Sequence, residues 1–412
     1  MVNAEVITSV FYLIWTLRVS LELSLLKQQQ KKNMKIGIVC YPTFGGSGVV
    51  ATELGMALAQ KGHHVHFITY KQPVRLDFIS NDIHFHEVFV EEYPLFHFQP
   101  YELALSSKMV EVVEMYDLEI LHVHYAIPHA YAAFMAKQIL LEKGISIKVV
   151  TTLHGTDITL VGSHPNYKTA VAFSINNSDI VTTVSESLKE DTYRLFNIKK
   201  EIKVVHNFID FKKYPEISEP ECQRFNLASD NEKIITHISN LRPVKRAQDV
   251  IDVFYKIQQK IPAKLLLVGE GPDREMLENK VKKLGLIEKV LFMGNSNEVI
   301  KLLCYSDLFL LPSQTESFGL AALEAMAART PVISTNSGGL AEVNEQGVTG
   351  FLSDVGDIED MAKNALYILE DEQRLQHFKE NAFKQAKKFS LEMVLPQYQS
   401  IYRDALADEN CC

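Results

Sequence analysis

The chain has 412 residues, of which 47% are hydrophobic and 23% charged, and its formal net charge is -9 at pH 7. This length predicts two domains, and the balance is that of an ordinary globular protein. The acidic charge argues against a nucleic-acid-binding protein, because phosphate backbones require basic surfaces. The five cysteines show no metal-ligand spacing, which favours a reducing compartment such as the cytoplasm.

The first 33 residues differ from the rest of the chain. Residues 6–15 are mostly apolar, but Arg18 and Glu22 interrupt the run before it reaches membrane-spanning length. No basic segment precedes it, as a signal peptide would require. We interpret Met34 as the natural start and residues 1–33 as an extension outside the fold, with no stable membrane insertion. A membrane-surface helix is the alternative.

From Met34 onward, short apolar runs alternate with helical patterns, an order that predicts parallel sheets covered by helices. In the first half the predicted strands are 36–40, 65–69, 120–124, 148–152, 180–184 and 203–207. Predicted helices there include 49–61, 100–116 and 128–143.

A polar stretch, 215–232, separates this half from a second alternation of the same kind. Its predicted strands are 234–238, 264–268, 290–293, 308–311 and 331–334. Its predicted helices include 247–260, 273–284 and 319–328, and a last helix is predicted over 391–406. The fold class is therefore α/β, with two doubly wound units in tandem, each with a ligand edge at the carboxyl ends of its strands.

A glycine-rich segment follows the first predicted strand and opens a helix. Gly45, Gly46 and Gly48 allow the backbone to approach an anion at the helix N-terminus. Gly46, Gly48 and Ala51 also match a dinucleotide-binding fingerprint, but the second predicted strand ends without the acidic residue that binds ribose there. An anion site, a nicotinamide enzyme and a turn that only packs stay open as interpretations.

Polar side chains end two successive predicted strands of the first half. His124 ends one strand and Tyr125 follows it, and Thr152 ends the next strand with His154 shortly after it. The carboxyl ends of parallel strands meet at the ligand crevice. One histidine in such a position is usually a buried structural residue, whereas two clusters favour a ligand site.

Two motifs of the second half carry charge. Arg242 and Lys245 follow its first strand, where cations would neutralise a diphosphate, although a solvated basic loop has the same composition. Glu316 precedes a helix whose first turn we predict over 317–320, with free amides for phosphate. Glu324 lies further along that helix, suited to ribose hydroxyls. A glycosidase acid pair and a solvated helix acid are the alternatives.

A further glycine-rich turn, 336–342, suits either a site or a structural role. No Asp-x-Asp pair occurs in the chain. Sugar transferases that use a metal usually carry such a pair of carboxylates, so we expect no metal and no other cofactor.

The segment from Glu316 to Glu324, with Ser317, Phe318 and Gly319 inside it, resembles the E-x7-E signature of glycosyltransferase family 4. The resemblance extends from Met34 to the C-terminus. It implies the GT-B fold: two Rossmann-like domains facing a cleft, with a final helix that returns to the first domain. The expected domains are 34–206 with 390–412 for the acceptor and 207–389 for the nucleotide sugar.

The resemblance also implies residue roles. The expected catalytic residues are Glu316, Lys245 and His154. The expected donor-binding residues are Gly46, Ser47, Arg242, Lys245, Gly294, Glu316, Ser317, Phe318, Gly319, Leu320 and Glu324. Many family members have an arginine five residues before the lysine, where this chain has Asn240 and offers Arg242 instead.

Segments 40–48, 83–87, 124–129, 151–158 and 244–249 resemble the family members that transfer N-acetylglucosamine from UDP-N-acetylglucosamine to L-malate, the first step of bacillithiol biosynthesis. This implies retention of the anomeric configuration without a metal. The expected acceptor contacts are Ser47, Tyr125, Thr152 and Asn207, and a homo-oligomer is left open. The alternatives are a family 4 enzyme of polysaccharide or lipid glycosylation and a non-catalytic protein that binds nucleotide sugars.

Overall fold

The computed structural model describes residues 33–43, 46–76, 80–91, 97–214, 224, 227–296 and 298–407. The extension predicted over residues 1–33 lies outside this part of the chain except for Asn33. Among the described helices, none combines the length and apolar character needed to cross a bilayer.

The first unit is built on a parallel sheet. Its strands are β1 (Lys35–Val39), β2 (His64–Thr69), β3 (Ile83–Glu87), β4 (Ile120–His124), β5 (Lys148–Leu153), β6 (Ile180–Thr183) and β7 (Ile202–Val204). They lie in the order β3-β2-β1-β4-β5-β6-β7. The helices are α1 (Gly46–Gln60), α2 (Tyr101–Tyr116), α3 (Tyr131–Glu142), α4 (Pro165–Asn176) and α5 (Glu186–Leu195).

The second unit repeats this plan. Its strands are β8 (Lys233–Ile238), β9 (Ala263–Val268), β10 (Val290–Gly294), β11 (Leu308–Leu311), β12 (Val332–Thr335) and β13 (Gly350–Ser353), in the order β10-β9-β8-β11-β12-β13. The helices are α6 (Ala247–Gln258), α7 (Arg274–Lys283), α8 (Val299–Tyr305), α9 (Leu320–Ala327), α10 (Leu340–Val343), α11 (Ile358–Leu369) and α12 (Glu372–Lys387).

The last helix, α13 (Leu391–Ala407), packs against the first unit although it follows the second in sequence. Its residues Tyr398 and Tyr402 are buried in one core with Ile36 of β1 and Leu54 of α1. The Tyr402 hydroxyl lies 2.8 Å from Nδ1 of His122 on β4. Burying two aromatic side chains that are one turn apart ties the end of the chain to the first sheet.

The strand order reverses between β1 and β4 in the first sheet and between β8 and β11 in the second. Crevices form at such reversals, because the connections leave the sheet toward opposite faces. The loops after β1, β4, β8 and β11 hold the motifs that the sequence singled out. The predicted α/β fold of two doubly wound units is confirmed.

Some elements differ from the prediction. The strands β3 and β13 were not predicted, because β3 carries alternating histidines and β13 is four residues long and begins with glycine. The helix predicted over 128–143 is instead a short helical turn, Ala126–Ala130, followed by α3. The predicted strand 203–207 is β7, which ends at Val204.

Candidate active site

The loop after β11 places Glu316 beside Lys245, which follows β8. The Lys245 Nζ atom lies 2.5 Å from Glu316 Oε2, and both side chains are largely buried. The Ser313 hydroxyl is 3.4 Å from the same carboxylate oxygen. The pair joins the two strands at the reversal of the second sheet and holds a cation and a carboxylate at its ligand edge.

The helix after this loop starts later than predicted. The prediction placed 317–320 in its first turn, but α9 begins at Leu320, because Gly319 has a left-handed backbone with φ 93°. Ser317 and Phe318 therefore belong to the loop. The Phe318 side chain is buried against His206 and Phe389, so only its backbone is available to a ligand.

The second glycine-rich turn supports the Glu316 loop from behind. The amide of Gly339 donates a hydrogen bond of 3.0 Å to the Glu316 carbonyl. A Cβ atom on Gly338, which has φ 60°, would collide with that same carbonyl oxygen. Of the two roles left open for residues 336–342, the geometry therefore favours a structural one.

The two units meet across the cleft at the same loop. The Ser185 hydroxyl of the first unit donates a hydrogen bond of 2.6 Å to the Ser317 carbonyl of the second. A Cβ atom on Gly155 would collide with the Ser317 hydroxyl. Leu320, at the start of α9, lies against Gly46, at the start of α1. Two helix N-termini thus face one cleft, and both favour anionic ligands.

A second contact between the units involves Glu342 of α10. Its carboxylate accepts hydrogen bonds of 3.0 Å from the amides of Glu186 and Ser187 at the N-terminus of α5. His206 lies 3.1 Å from it. Burial alone would raise the pKa of Glu342, but His206 and the two amides outweigh it and hold the pKa below its ordinary value.

On the first unit, Ser47 and Tyr125 face one another. The Ser47 Oγ and Tyr125 Oη atoms are 2.6 Å apart, which joins the start of α1 to the end of β4. The residue after Ser47 must be glycine, since a Cβ atom on Gly48 would collide with the carbonyl oxygens of Tyr41 and Thr43. Burial raises the pKa of Tyr125, so its hydroxyl stays protonated and can donate to a ligand oxygen.

Three histidines lie behind this pair. The Nε2 atom of His154 is 2.8 Å from Nδ1 of His124, and the Tyr125 ring lies 5.2 Å from the His154 ring. Burial lowers the pKa of His154 to about 3, so its ring is neutral. His129 bonds through Nδ1 to the His124 carbonyl. The Nε2 atoms of His124 and His129 are buried, and neither has a hydrogen-bond partner within the described residues.

Thr152 lies elsewhere than the acceptor prediction assumed. Its side chain is fully buried, and its hydroxyl is 2.7 Å from Nε2 of His122 and 2.6 Å from the Thr182 hydroxyl. Because the Thr152 hydroxyl is buried and already has two hydrogen-bond partners, it does not contact a ligand directly. Asn207 is also buried, but its Oδ1 atom has no hydrogen-bond partner among the described groups and is free for a ligand.

The other predicted donor residues lie around the second sheet. Gly294 ends β10 with φ 62°, where a Cβ atom would lie 3.0 Å from a carboxylate oxygen of Glu270. Arg242 is exposed and directly precedes the turn Pro243–Lys245. Glu324 lies in α9 at a narrow cavity between the units, and burial raises its pKa to about 7.

The sequence prediction missed Asp157. Its buried carboxylate accepts hydrogen bonds from the amides of Ala126 and Gly155, at 2.8 and 3.0 Å, and so joins the loops after β4 and β5. Burial raises its pKa to about 6 in spite of these bonds. The sequence feature that could have identified Asp157 was its position, three residues after His154 in a glycine-containing loop. No three or more His, Cys, Asp or Glu side chains in the described ranges are arranged to hold a metal.

Two family profiles match the chain, one on each unit. Residues 44–213 match the profile of Glycosyltransferase Family 4, and residues 218–385 match that of Glycosyl transferases group 1. Solved structures with the same fold include sucrose-phosphate synthase from Thermosynechococcus elongatus, with a TM-score of 0.75 and 22% identity over 91% of this chain and 100% of that one. Anabaena HepE in complex with UDP and glucose has a TM-score of 0.75 and 21% identity over 90% and 100%. These structural similarities show that the chain has the GT-B fold.

The family is shown by one relative in sequence. N-acetyl-alpha-D-glucosaminyl L-malate synthase from Bacillus anthracis is 48% identical over 377 residues, which is 91% of this chain and 98% of that enzyme. The chain therefore belongs to glycosyltransferase family 4 and is a glycosyltransferase of GT-B fold. The resemblance inferred from the spacing of Glu316 and Glu324 is confirmed.

Proposed function

We propose that this enzyme transfers N-acetylglucosamine from UDP-N-acetylglucosamine to the hydroxyl of L-malate with retention of the anomeric configuration. The observation that carries the proposal is the polarity of the cleft. A cation, a carboxylate and a helix N-terminus lie on one side, and hydroxyl donors with a second helix N-terminus lie on the other. The identity of 48% to the Bacillus anthracis malate synthase supports the choice of substrates.

The second unit supplies the donor site in this proposal. Lys245 and the free amides at the start of α9 neutralise the diphosphate as it leaves. Glu316 orients the sugar hydroxyls while its other oxygen keeps Lys245 in place, 2.5 Å away. Glu324 accepts hydrogen bonds from the ribose, and the backbone of Gly294 lies beside the base.

The first unit supplies the acceptor site. Malate carries two carboxylates, which suit neutral hydrogen-bond donors at the positive end of α1. Ser47 and Tyr125, whose hydroxyls are 2.6 Å apart, and the side-chain NH2 group of Asn207 provide such donors, whereas the unpartnered Asn207 Oδ1 atom is an acceptor. Thr152 acts behind them by fixing His122, rather than as a direct contact.

The chemical step joins the malate hydroxyl oxygen to the anomeric carbon as the bond from that carbon to the UDP oxygen breaks. Attack occurs on the face from which UDP departs, so the configuration is retained. The hydroxyl proton passes to an oxygen of the departing diphosphate, and no protein side chain takes it. The product is the first intermediate of bacillithiol biosynthesis, formed in the cytoplasm.

Mass spectrometry of the products from UDP-N-acetylglucosamine with malate, lactate, glycerol and inositol phosphate tests the proposal. Lactate lacks one carboxylate and leaves buried donors unpaired, so malate should exceed it roughly tenfold or more in kcat/KM. The anomeric proton coupling of the product, read by NMR, reports retention. A preference for a sugar, a polyol phosphate or a lipid would contradict the malate assignment. UDP binding without turnover on any acceptor would indicate a non-catalytic protein.

A further inference from the structure

A cluster of charged side chains lies where the two units meet the connecting segment, the part of the chain between β7 and β8. A narrow cavity there is lined by Glu53 of α1, Arg75, Lys213 and Tyr214 of the connecting segment, and Glu324 of α9. Its volume is about 10 Å³, space for roughly one water molecule. A ribose does not fit inside this cavity, so the proposed contact between Glu324 and the ribose lies outside it.

Glu53 fixes the two cations of the cluster. Its carboxylate oxygen lies 2.6 Å from Lys213 Nζ and 3.1 Å from Arg75 Nη1. The Glu53 side chain is only 8% exposed, whereas those of Lys213 and Arg75 are 32% and 37% exposed. A buried carboxylate held by two cations keeps both at the cavity that Glu324 also lines.

The charges of this cluster act on Glu324 in opposite directions. Burial raises the pKa of Glu324 to about 7, Arg75 and Lys213 lower it, and Glu53 raises it. The remaining polar groups that line the cavity are the Tyr214 hydroxyl and the carboxylate of Asp210. Burial raises the pKa of Tyr214 well above its ordinary value, so that hydroxyl stays neutral.

We propose that Arg75 and Lys213 are positioning residues for the donor nucleotide, which hold Glu324 ionised so that its carboxylate accepts hydrogen bonds from the ribose hydroxyls. This inference rests on the proposed role of Glu324 in donor binding. Arg75 and Lys213 act on Glu324 through their charge across the cavity that all three line, without an ion pair to it, and do not touch the ribose. Residues of the first unit and of the connecting segment thereby influence nucleotide binding by the second unit.

The direction in which each substitution shifts the pKa of Glu324 distinguishes this positioning role from a packing role. Losing Arg75 or Lys213 removes a positive charge near Glu324 and favours its protonated form. Glu53→Gln removes a negative charge and releases both cations toward Glu324, which favours its ionised form. If the cluster only packed the interface, all three substitutions would weaken nucleotide binding at every pH.

The experiment measures the dissociation constants of UDP, 2′-deoxy-UDP and 3′-deoxy-UDP by calorimetry between about pH 5.5 and pH 8.5. The ratio of the deoxy value to the UDP value cancels the titration of the phosphates. The full-length variants are Arg75→Met, Lys213→Met, Glu53→Gln and Glu324→Gln. Lys143→Met, which breaks a surface ion pair with Glu114 at 2.7 Å, is the matched control. Thermal unfolding of each variant identifies loss of fold.

In the unmodified enzyme we expect the dissociation constants of the deoxy nucleotides to be roughly tenfold higher than that of UDP at about pH 8, because a carboxylate acceptor makes a strong hydrogen bond. The ratio should fall toward one as the pH falls through the pKa of Glu324. Arg75→Met and Lys213→Met should move the midpoint of this fall to higher pH, and Glu53→Gln should move it to lower pH. Lys143→Met should leave the midpoint in place.

Two kinds of failure are distinguishable. If Glu324→Gln keeps the ratio of the unmodified enzyme, or if that ratio is one at every pH, the assignment of Glu324 to the ribose is wrong. If Glu324→Gln brings the ratio to one, but the midpoints of the other variants stay unchanged or all move the same way, the role of Glu324 in ribose binding stands. The positioning role of Arg75 and Lys213 is then overturned. Lys213→Met tests the role by itself if Arg75→Met does not fold.

Discussion

Glu316 combines an ion pair with a position at the ligand edge of the second sheet. Its carboxylate forms an ion pair with Lys245 at 2.5 Å and lies at the ligand edge of the sheet. An amide in place of this carboxylate keeps the shape of the side chain but removes the charge that orients Lys245. In the proposed reaction we expect Glu316 to act on the sugar in the transition state more than on the bound nucleotide.

Glu316→Gln should lower kcat by about 10²-fold or more, because a lost transition-state contact typically has that effect. UDP affinity should change far less, since Lys245 and the amides of α9 remain. Single-turnover kinetics and calorimetry with UDP measure the two effects. Glu345→Gln, at an exposed position, is the control. Turnover near that of the unmodified enzyme would remove Glu316 from the site.

Tyr125→Phe tests the acceptor side at a single atom. The variant removes the hydroxyl that lies 2.6 Å from Ser47 and keeps the ring that packs beside His154. We expect the KM for malate to rise roughly tenfold, because a buried donor is lost. The dissociation constant of UDP should stay the same. Tyr131→Phe removes an exposed hydroxyl on α3 and should change neither value.

At the scale of elements, the turn 336–339 and the loop before α9 form one supporting unit. Gly338 and Gly347 both have positive φ, 60° and 70°, but their surroundings differ. A Cβ atom on Gly338 meets the Glu316 carbonyl, whereas one on Gly347 meets nothing within 4 Å. The pair therefore separates backbone strain from displacement of the site.

Gly338→Ala should lower both thermal stability and kcat, because the added methyl group pushes the Glu316 loop out of place. Gly347→Ala should cost only the strain of a left-handed backbone, about 1–2 kcal/mol, with kcat unchanged. Thermal unfolding and steady-state kinetics of the two variants make the comparison. Equal effects of both substitutions on kcat would mean that the turn does not support Glu316.

Several element boundaries followed from local chemistry, and others did not. The apolar runs of β1, β4, β5 and β11 are buried on both faces, and their positions were predicted to within a residue or so. β3 was missed because its histidines stack on His66 and Tyr116, a contact that exists only in the assembled sheet. The start of α9 was predicted too early because Gly319 adopts a left-handed backbone.

Across the whole molecule, we expect the cleft to neutralise the charge of the proposed donor without a metal. The chain contains no Asp-x-Asp pair, and Lys245 with two helix N-termini supplies positive potential at the cleft. Contacts from Ser185 and Glu342 bring the two units together around this region. Charge neutralisation and the approach of the two units are therefore linked.

Turnover should continue after complete removal of divalent metal. An assay in excess chelator, with metal content verified by elemental analysis, measures this directly. Added magnesium or manganese should change the rate by less than about twofold, a free-energy effect of a few tenths of a kcal/mol. Turnover that disappears in chelator and returns with either ion would show that the protein cations are insufficient.

The alternation of strands and helices, the glycine turns, and the spacing of Glu316 and Glu324 that indicated the family could all be predicted from the chain's amino acids. These are local patterns, because strand burial, helix starts and turns depend on neighbours along the chain. The burial of Thr152 under its partners, and the cavity that Arg75, Lys213 and Glu53 line together with Glu324, became visible only in the folded chain. Those contacts join residues far apart in sequence, and their energies depend on distance and burial, which no local pattern specifies.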